Sequence, residues 1–382
     1  MELTADILKE IESFKDEALS LLMELGKIPA PSNHEEKRAA FCKNWLEQNG
    51  AEGVYMDEAL NVVYPVGNVE SGPLVVFMAH TDVVFPDTEE LPMRMEDGKL
   101  YCPGIGDDTI HLVALLLTAR YIAKNKLTPK EGGMLLVANS GEEGLGNLKG
   151  CKKIFEKYGD RVTEFVTFDG PYGSIDSGKI CTTAVGSKRY KIEIDTEGGH
   201  SYGMFGNRNA IAYLASLIDT LYTIKVPARG KTTYNVGTIS GGTSVNTIAQ
   251  HAEMLYEFRS DNREDLAEME AHLEAALAFY ATKGIKITTT VVGCRPCGID
   301  VDPARHNALI ARAQAATEKH FGFVPFCGSA STDCNIPLSM GIPSIEVSCG
   351  RGKGAHTREE YIEIDSQVPG LKVAFEMVLY HM

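Results

Sequence analysis

Three short apolar runs constrain this chain most: LVVFMA at residues 74–79, MLLVA at 134–138 and FVTF at 165–168. Continuous runs of this length, unlike alternating ones, suit strands covered on both faces, as in a largely parallel sheet flanked by helices. The residues just beyond each run are more telling still. The first run passes directly into His80-Thr81-Asp82, the second through Asn-Ser-Gly into Glu142-Glu143, and the third into Asp169. In open α/β sheets, ligand sites form beyond the carboxyl ends of the strands. Three strands are therefore expected to deliver a histidine and several carboxylates to one sheet edge. Between the first two runs, Gly104-Ile105-Gly106-Asp107-Asp108 opens a helix expected over 109–123, where Leu112, Leu115, Leu116, Ala119 and Ile122 recur at helical spacing.

Elsewhere the periodicity predicts helices over 5–26 and 34–49, the second entered through a Pro-rich turn. From about Cys181 the texture changes. Residues 190–195 (YKIEID) and 252–259 (AEMLYEFR) alternate as strands do, 209–222 and 263–283 read as helices, and 286–292 as another strand. A helix near 303–320 and a strand at 344–348 restore the first texture. The expected fold is thus an α/β domain with a mixed, largely parallel sheet flanked by helices, residues 1–182 and 297–382, interrupted by a smaller α+β domain at 183–296.

Composition removes several function classes. With 382 residues and 44% hydrophobic content the chain is long and apolar enough for large cores, and no apolar run approaches the ~20 residues of a membrane span. A formal net charge of -15 disfavours nucleic acid and anionic membranes as partners. The N-terminus is an acidic amphipathic pattern without a secretory signal, so a cytoplasmic location is expected. Nine cysteines are scattered, with Cys294-Arg-Pro-Cys297 the only close pair, and they are read as reduced and structural.

One histidine with several carboxylates is a ligand set for zinc, manganese or cobalt. More carboxylates are present than one catalytic zinc uses, which points to two divalent metal ions sharing a bridging ligand. Gly354-Ala355-His356-Thr357 supplies a second histidine. The segments HTD (80–82), GIGDD (104–108), GEEG (141–144), FDG (168–170), GGHS (198–201), GGTSVN (241–246) and GAHTREE (354–360) succeed one another along most of the chain. In them the sequence resembles the di-zinc exopeptidase and deacylase family of peptidase T, glutamate carboxypeptidase, aminoacylase and succinyl-diaminopimelate desuccinylase.

The resemblance implies a catalytic α/β domain and a lid domain that forms a homodimer. It implies that Asp107 bridges two metals, with His80 and Asp169 completing one site and Glu143 and His356 the other. Glu142 would be the general base for a water held between the metals. Asp82 would orient His80, and the Asp107–Asp108 peptide would be cis. His200 would reach the partner subunit's active site to stabilise the oxyanion, while Asn246 and Arg259 would meet substrate polar groups and carboxylates. A Lys commonly follows the acidic pair in this family. Here Thr109 does, which is expected to leave that neighbourhood more negative.

Plainer roles stand beside these. His80 alone would be an ordinary strand-end histidine, and Glu142-Glu143 alone a solvated pair favoured by a helix dipole. Arg259 alone would simply pair with an acidic neighbour. His111 and Cys102 are read as structural. His34, His251, His272, His306, His320 and His381 lack partner motifs. Gly144-Leu-Gly146 is too short a fragment for a dinucleotide fingerprint, which removes a nucleotide-dependent oxidoreductase. The full ligand set and Glu142 disfavour a catalytically silent scaffold. The expected substrate is a small peptide or acyl-amino acid. Aspartate rather than glutamate at position 169 accompanies aminopeptidases and dipeptidases in the resembling family, so removal of the N-terminal residue from di- or tripeptides is expected. Deacylation of N-acyl amino acids or carboxypeptidase action with the same machinery is the alternative.

Overall fold

A computed structural model describes residues 3–382, apart from the side chain of Leu145. The chain divides into two compact units, Met1–Thr183 with Asp300–Met382, and Ala184–Ile299. No helix among the described residues is long and apolar enough to cross a membrane.

The first unit is built on an eight-stranded mixed sheet. Its order is Tyr55–Met56, Val62–Gly67, Gly133–Asn139, Leu74–His80, Val162–Phe168, Ser344–Val347, Lys179–Ala184 and Phe326–Ala330. The central four strands, Gly133–Asn139 through Ser344–Val347, run parallel, and antiparallel strands border them. Gly133–Asn139 is buried at every residue and Leu74–His80 at all but Val75, as continuous apolar runs require. Because these strands are parallel and adjacent, His80, the Glu142-Glu143 loop and Asp169 leave the sheet at the same edge.

The helix Ile110–Asn125 is buried from Ile110 through Ile122 and packs in the principal core, where it meets the C-terminal helix Gln367–Leu379. A helix apolar on all sides belongs inside, and its start therefore lies inside too. The N-terminal pattern expected as one helix is two, Ala5–Ser13 and Lys15–Lys27. The break falls at Phe14, whose ring meets Phe375 at 6.3 Å and lies under the Arg120 guanidinium at 4.8 Å. Tertiary packing of one aromatic overrides the local periodicity there.

A second small sheet joins distant segments: Gly352–Lys353, Tyr361–Glu363, Lys99–Tyr101 and Arg94–Glu96. Tyr361 pairs with Tyr101 and Ile362 with Leu100, which ties the loop bearing His356 to the turn bearing Asp107.

The inserted unit carries a four-stranded antiparallel sheet, Thr232–Gly241, His251–Ser260, Gly186–Asp195 and Lys286–Arg295. Helices Ala210–Leu221 and Arg263–Ala281 pack on one face, against Tyr190, Ile192, Ile194, Met254, Tyr256 and Phe258. The other face is polar, carrying Arg189, Lys191, Glu193, Glu253, Glu257 and Arg259.

Candidate metal centre

Asp107 sits between two histidines. Its Oδ1 lies 3.0 Å from His80 Nε2 and its Oδ2 3.2 Å from His356 Nε2. Each histidine faces a further carboxylate: Asp169 Oδ1 is 3.8 Å from His80 Nε2, and Glu143 Oε1 is 3.0 Å from His356 Nε2. Donor atoms of His80, Asp107 and Glu143 all lie within 4.8 Å of one another, as do those of His80, Asp108 and Asp169.

The electrostatics suit cations. Burial works against ionisation of Asp107, yet the imidazoles of His356 and His80 hold it below the usual carboxylate range. Burial first, and then the charge on Asp107, push Glu143 up to about 7. Burial and the charges of Asp108 and Asp107 put Asp169 well above its ordinary value. Hydrogen bonds to Asp107 and Glu143 lift His356 to about 10. Such a cluster keeps its negative charge only when positive charge is close. Imidazole and carboxylate donors converging in this way fit two divalent cations better than protons.

Buried hydrogen bonds fix each donor. His80 Nδ1 donates to the main-chain carbonyl of Asp82 at 3.0 Å, which leaves Nε2 as the basic nitrogen facing Asp107. The Asp82 carboxylate lies slightly farther from that Nδ1, at 3.4 Å. It accepts from the backbone of Glu142 and Glu143, each at 3.0 Å, and from the Ser32 hydroxyl at 2.7 Å. Asp82 therefore anchors the glutamate loop as much as the imidazole. Asp108 accepts from the His80 amide at 2.7 Å and lies 2.7 Å from His111 Nδ1, so His111 supports the turn from behind. The Asp107–Asp108 peptide is cis. Cys102 is packed, its thiol donating to Gly26 O at 3.3 Å.

Beneath Thr109 stands Arg38. This guanidinium is fully buried, donating to Thr81 O at 3.0 Å and to the Thr109 hydroxyl at 3.3 Å. Arginine stays protonated in proteins. A cation thus underlies the acidic pair even though no lysine follows it.

The sequence pattern of peptidase family M20/M25/M40 matches residues 76–380. The chain belongs to that family. As an M20 family protein it is a hydrolase. The succinyl-diaminopimelate desuccinylase of Corynebacterium glutamicum is 25% identical over 358 residues, spanning 90% of this chain and 91% of that protein. A tripeptidase from Staphylococcus aureus shares the fold with a TM-score of 0.75 at 21% identity, over 95% of this chain and 97% of that one. A dinuclear metal-binding M20 peptidase from Bacillus subtilis does so with a TM-score of 0.67 at 17% identity, over 97% and 99%.

Three expected M20 site residues belong to the inserted unit. His200 is exposed, and its Nδ1 accepts from the amides of Tyr202 and Gly203 at 3.3 and 3.2 Å, so the neutral ring carries its proton on Nε2. Asn246 is exposed, its Oδ1 accepting from the Ser244 hydroxyl at 2.6 Å and its carbonyl from the Ser201 amide at 2.9 Å. Arg259 already holds an acidic neighbour, Glu257, through Nε and Nη2 at 3.0 and 3.1 Å.

Three buried acids beside the centre were given no role from the sequence: Asp333, Glu346 and Glu360, the last of which closes the segment GAHTREE. Asp333 accepts from the Asn139 amide at 2.6 Å, and burial followed by the charge of Glu142 raises it to about 8. Glu360 accepts from the backbone of Gly104, Gly106 and Asp107 at 2.7, 2.8 and 2.8 Å, clasping the turn that presents Asp107. Replacing Glu360 with Gln leaves one acceptor oxygen for three amides. Losses of about 10- to 100-fold in metal affinity are expected, the scale for groups that orient a ligand. Competition against a chelator measures this, and an unchanged affinity would refute the clasp.

Proposed function

We propose that this chain is a dinuclear metallopeptidase that removes the N-terminal residue from di- or tripeptides. The observation that carries the reading is Asp107, whose two oxygens face two histidines that each have a further carboxylate. In this reading Asp107 bridges, His80 and Asp169 hold one cation and Glu143 and His356 the other, with zinc foremost and manganese or cobalt as alternatives. Two bound divalent cations supply Lewis acidity toward the scissile carbonyl and lower the pKa of water towards ~7. Glu142, buried next to Glu143 and anchored through its amide by Asp82, takes the proton of the attacking water and returns it to the leaving amine. Asp82 keeps His80 and the glutamate loop in register.

The inserted unit, near residues 183–296, serves as lid and dimerisation domain. Tyr202, Phe205 and Val245 are 90%, 89% and 102% exposed, on two segments joined by the bond from the Ser201 amide to Asn246. Apolar exposure of that kind favours a second copy of this chain as the partner. His200 lies in the same loop with an Nε2–H to donate, as oxyanion stabilisation requires. Mixing inactive Glu142→Gln with inactive His200→Ala subunits should then restore partial activity, because one composite site regains both groups. No recovery despite proven subunit exchange would place His200 elsewhere. Asn246 and Arg259 are assigned to substrate polar groups. Arg189 Nε also reaches Glu257, at 3.2 Å, which places a second guanidinium beside Arg259. Buried thiols at Cys42, Cys102, Cys151 and Cys334 support a reducing, cytoplasmic setting.

Aspartate at position 169 supports the aminopeptidase reading. Resemblance to the Corynebacterium desuccinylase favours a second reading, N-acyl amino acid deacylation. One assay separates them: hydrolysis of a free tripeptide, the same peptide N-acetylated, and acetyl- and succinyl-amino acids. Turnover of the free peptide, abolished by acetylation, is expected. Faster turnover of the acylated substrates would replace the peptidase by the deacylase.

A further inference from the structure

The loop beyond Asp169 and the strand Gly352–Lys353 border a cavity of about 500 Å³, lined by Tyr172, Lys179, Phe326, Glu346 and Lys353 among others. Glu346 comes from the strand Ser344–Val347, where it pairs with Thr167, two residues before Asp169. It is 7% exposed, and its Oε2 has no hydrogen-bond partner among the described residues. A buried carboxylate without a partner is costly to keep, so something outside the chain is expected to complete it. Its other oxygen is kept open by the backbone beside it. Gly170 has φ +61, and a Cβ there would stand 3.2 Å from Glu346 Oε1.

Lys179 is the cation whose charge bears on Glu346, but its ammonium donates to Ser329 O at 3.3 Å. Glu346 plays no part in the donor groups that surround Asp107. What remains is an inward carboxylate at the wall of a cavity that begins one residue beyond Asp169.

We propose that this cavity receives the free ammonium end of the substrate, with Glu346 as its counter-ion. The proposal rests on the peptidase reading and names the group that would select a free amine over an acylated one. A carboxylate in a dry wall rewards a cation there and penalises a neutral group that leaves it unpaired.

The test is binding rather than turnover. Leucinamide and its desamino counterpart, 4-methylpentanamide, are titrated calorimetrically into the metal-loaded protein at pH 7.5, above the value of about 7 to which burial raises Glu346 and below the ordinary α-ammonium pKa of ~7.7–8.0. The wild type is expected to prefer leucinamide by about tenfold or more, the scale of one hydrogen bond to a charged group. Glu346→Gln should lose that preference, and Glu346→Asp, which keeps the charge, should retain most of it. Absence of any preference in the wild type would overturn the proposal, and so would an equal preference in a folded Glu346→Gln variant. Peptide hydrolysis by the same samples is read separately. A protein that shows the preference but cleaves no peptide overturns the peptidase reading and leaves the ammonium site standing.

Discussion

Glu142→Gln is expected to leave fold and metal content intact and to lower kcat by about 10²–10⁴-fold, the usual contribution of a positioned base. The reason is where Glu142 stands. It is 5% exposed, lies three residues beyond the strand Gly133–Asn139, and belongs to neither donor group around Asp107. Its amide, rather than its carboxylate, is what Asp82 holds, and glutamine keeps that amide. Glutamine also preserves side-chain volume, so packing gives no reason for a loss. A kcat close to wild type in a metal-replete variant would remove Glu142 from the chemistry and direct attention to the other buried acids nearby, Asp333 first.

Asp107→Asn is expected to have an effect of comparable size, with a different cause. The substitution replaces one of two equivalent oxygens by an amide that cannot coordinate as a carboxylate does, while changing the size of the side chain hardly at all. If Asp107 holds both cations, one loss disturbs both sites together. Metal-ion stabilisation of the transition state is worth several kcal/mol, and about 4 kcal/mol corresponds to roughly 10³ in rate. Substituting His80 or His356 instead should weaken one site and spare the other. The comparison of kcat across these three variants, each at saturating metal, checks the bridge. An Asp107→Asn enzyme no worse than either histidine variant would contradict it.

Much of this architecture was legible in the chain because the relevant signals were local. Continuous apolar runs marked the central strands at 74–79, 134–138 and 165–168, and the residues just beyond them were the ones the structure draws together. The helix Ile110–Asn125 announced itself by apolar spacing. Other features depend on partners that no local pattern reveals. The edge strand Thr232–Gly241 alternates only weakly, with most of its residues exposed and a register shift between Val236 and Thr238. Glu360 acquires its role from amides some 250 residues away in sequence. Glu346 acquires its own from parallel pairing with Val162–Phe168. Arg38 comes after the exposed Glu36 and Lys37, and nothing in that run of charges distinguishes the one that turns inward. The same blindness applies at Thr109. A missing lysine is visible in the sequence, whereas the arginine that stands beneath Thr109 from another helix is not.

The central claim is that two divalent cations share Asp107. Metal content after dialysis, measured by elemental analysis on the wild type and on Asp107→Asn, tests it most directly. A shared bridge predicts two equivalents per chain in the active wild type and at most one in the variant. A fully active wild type that carries a single equivalent, or an Asp107→Asn protein that retains two, would contradict it.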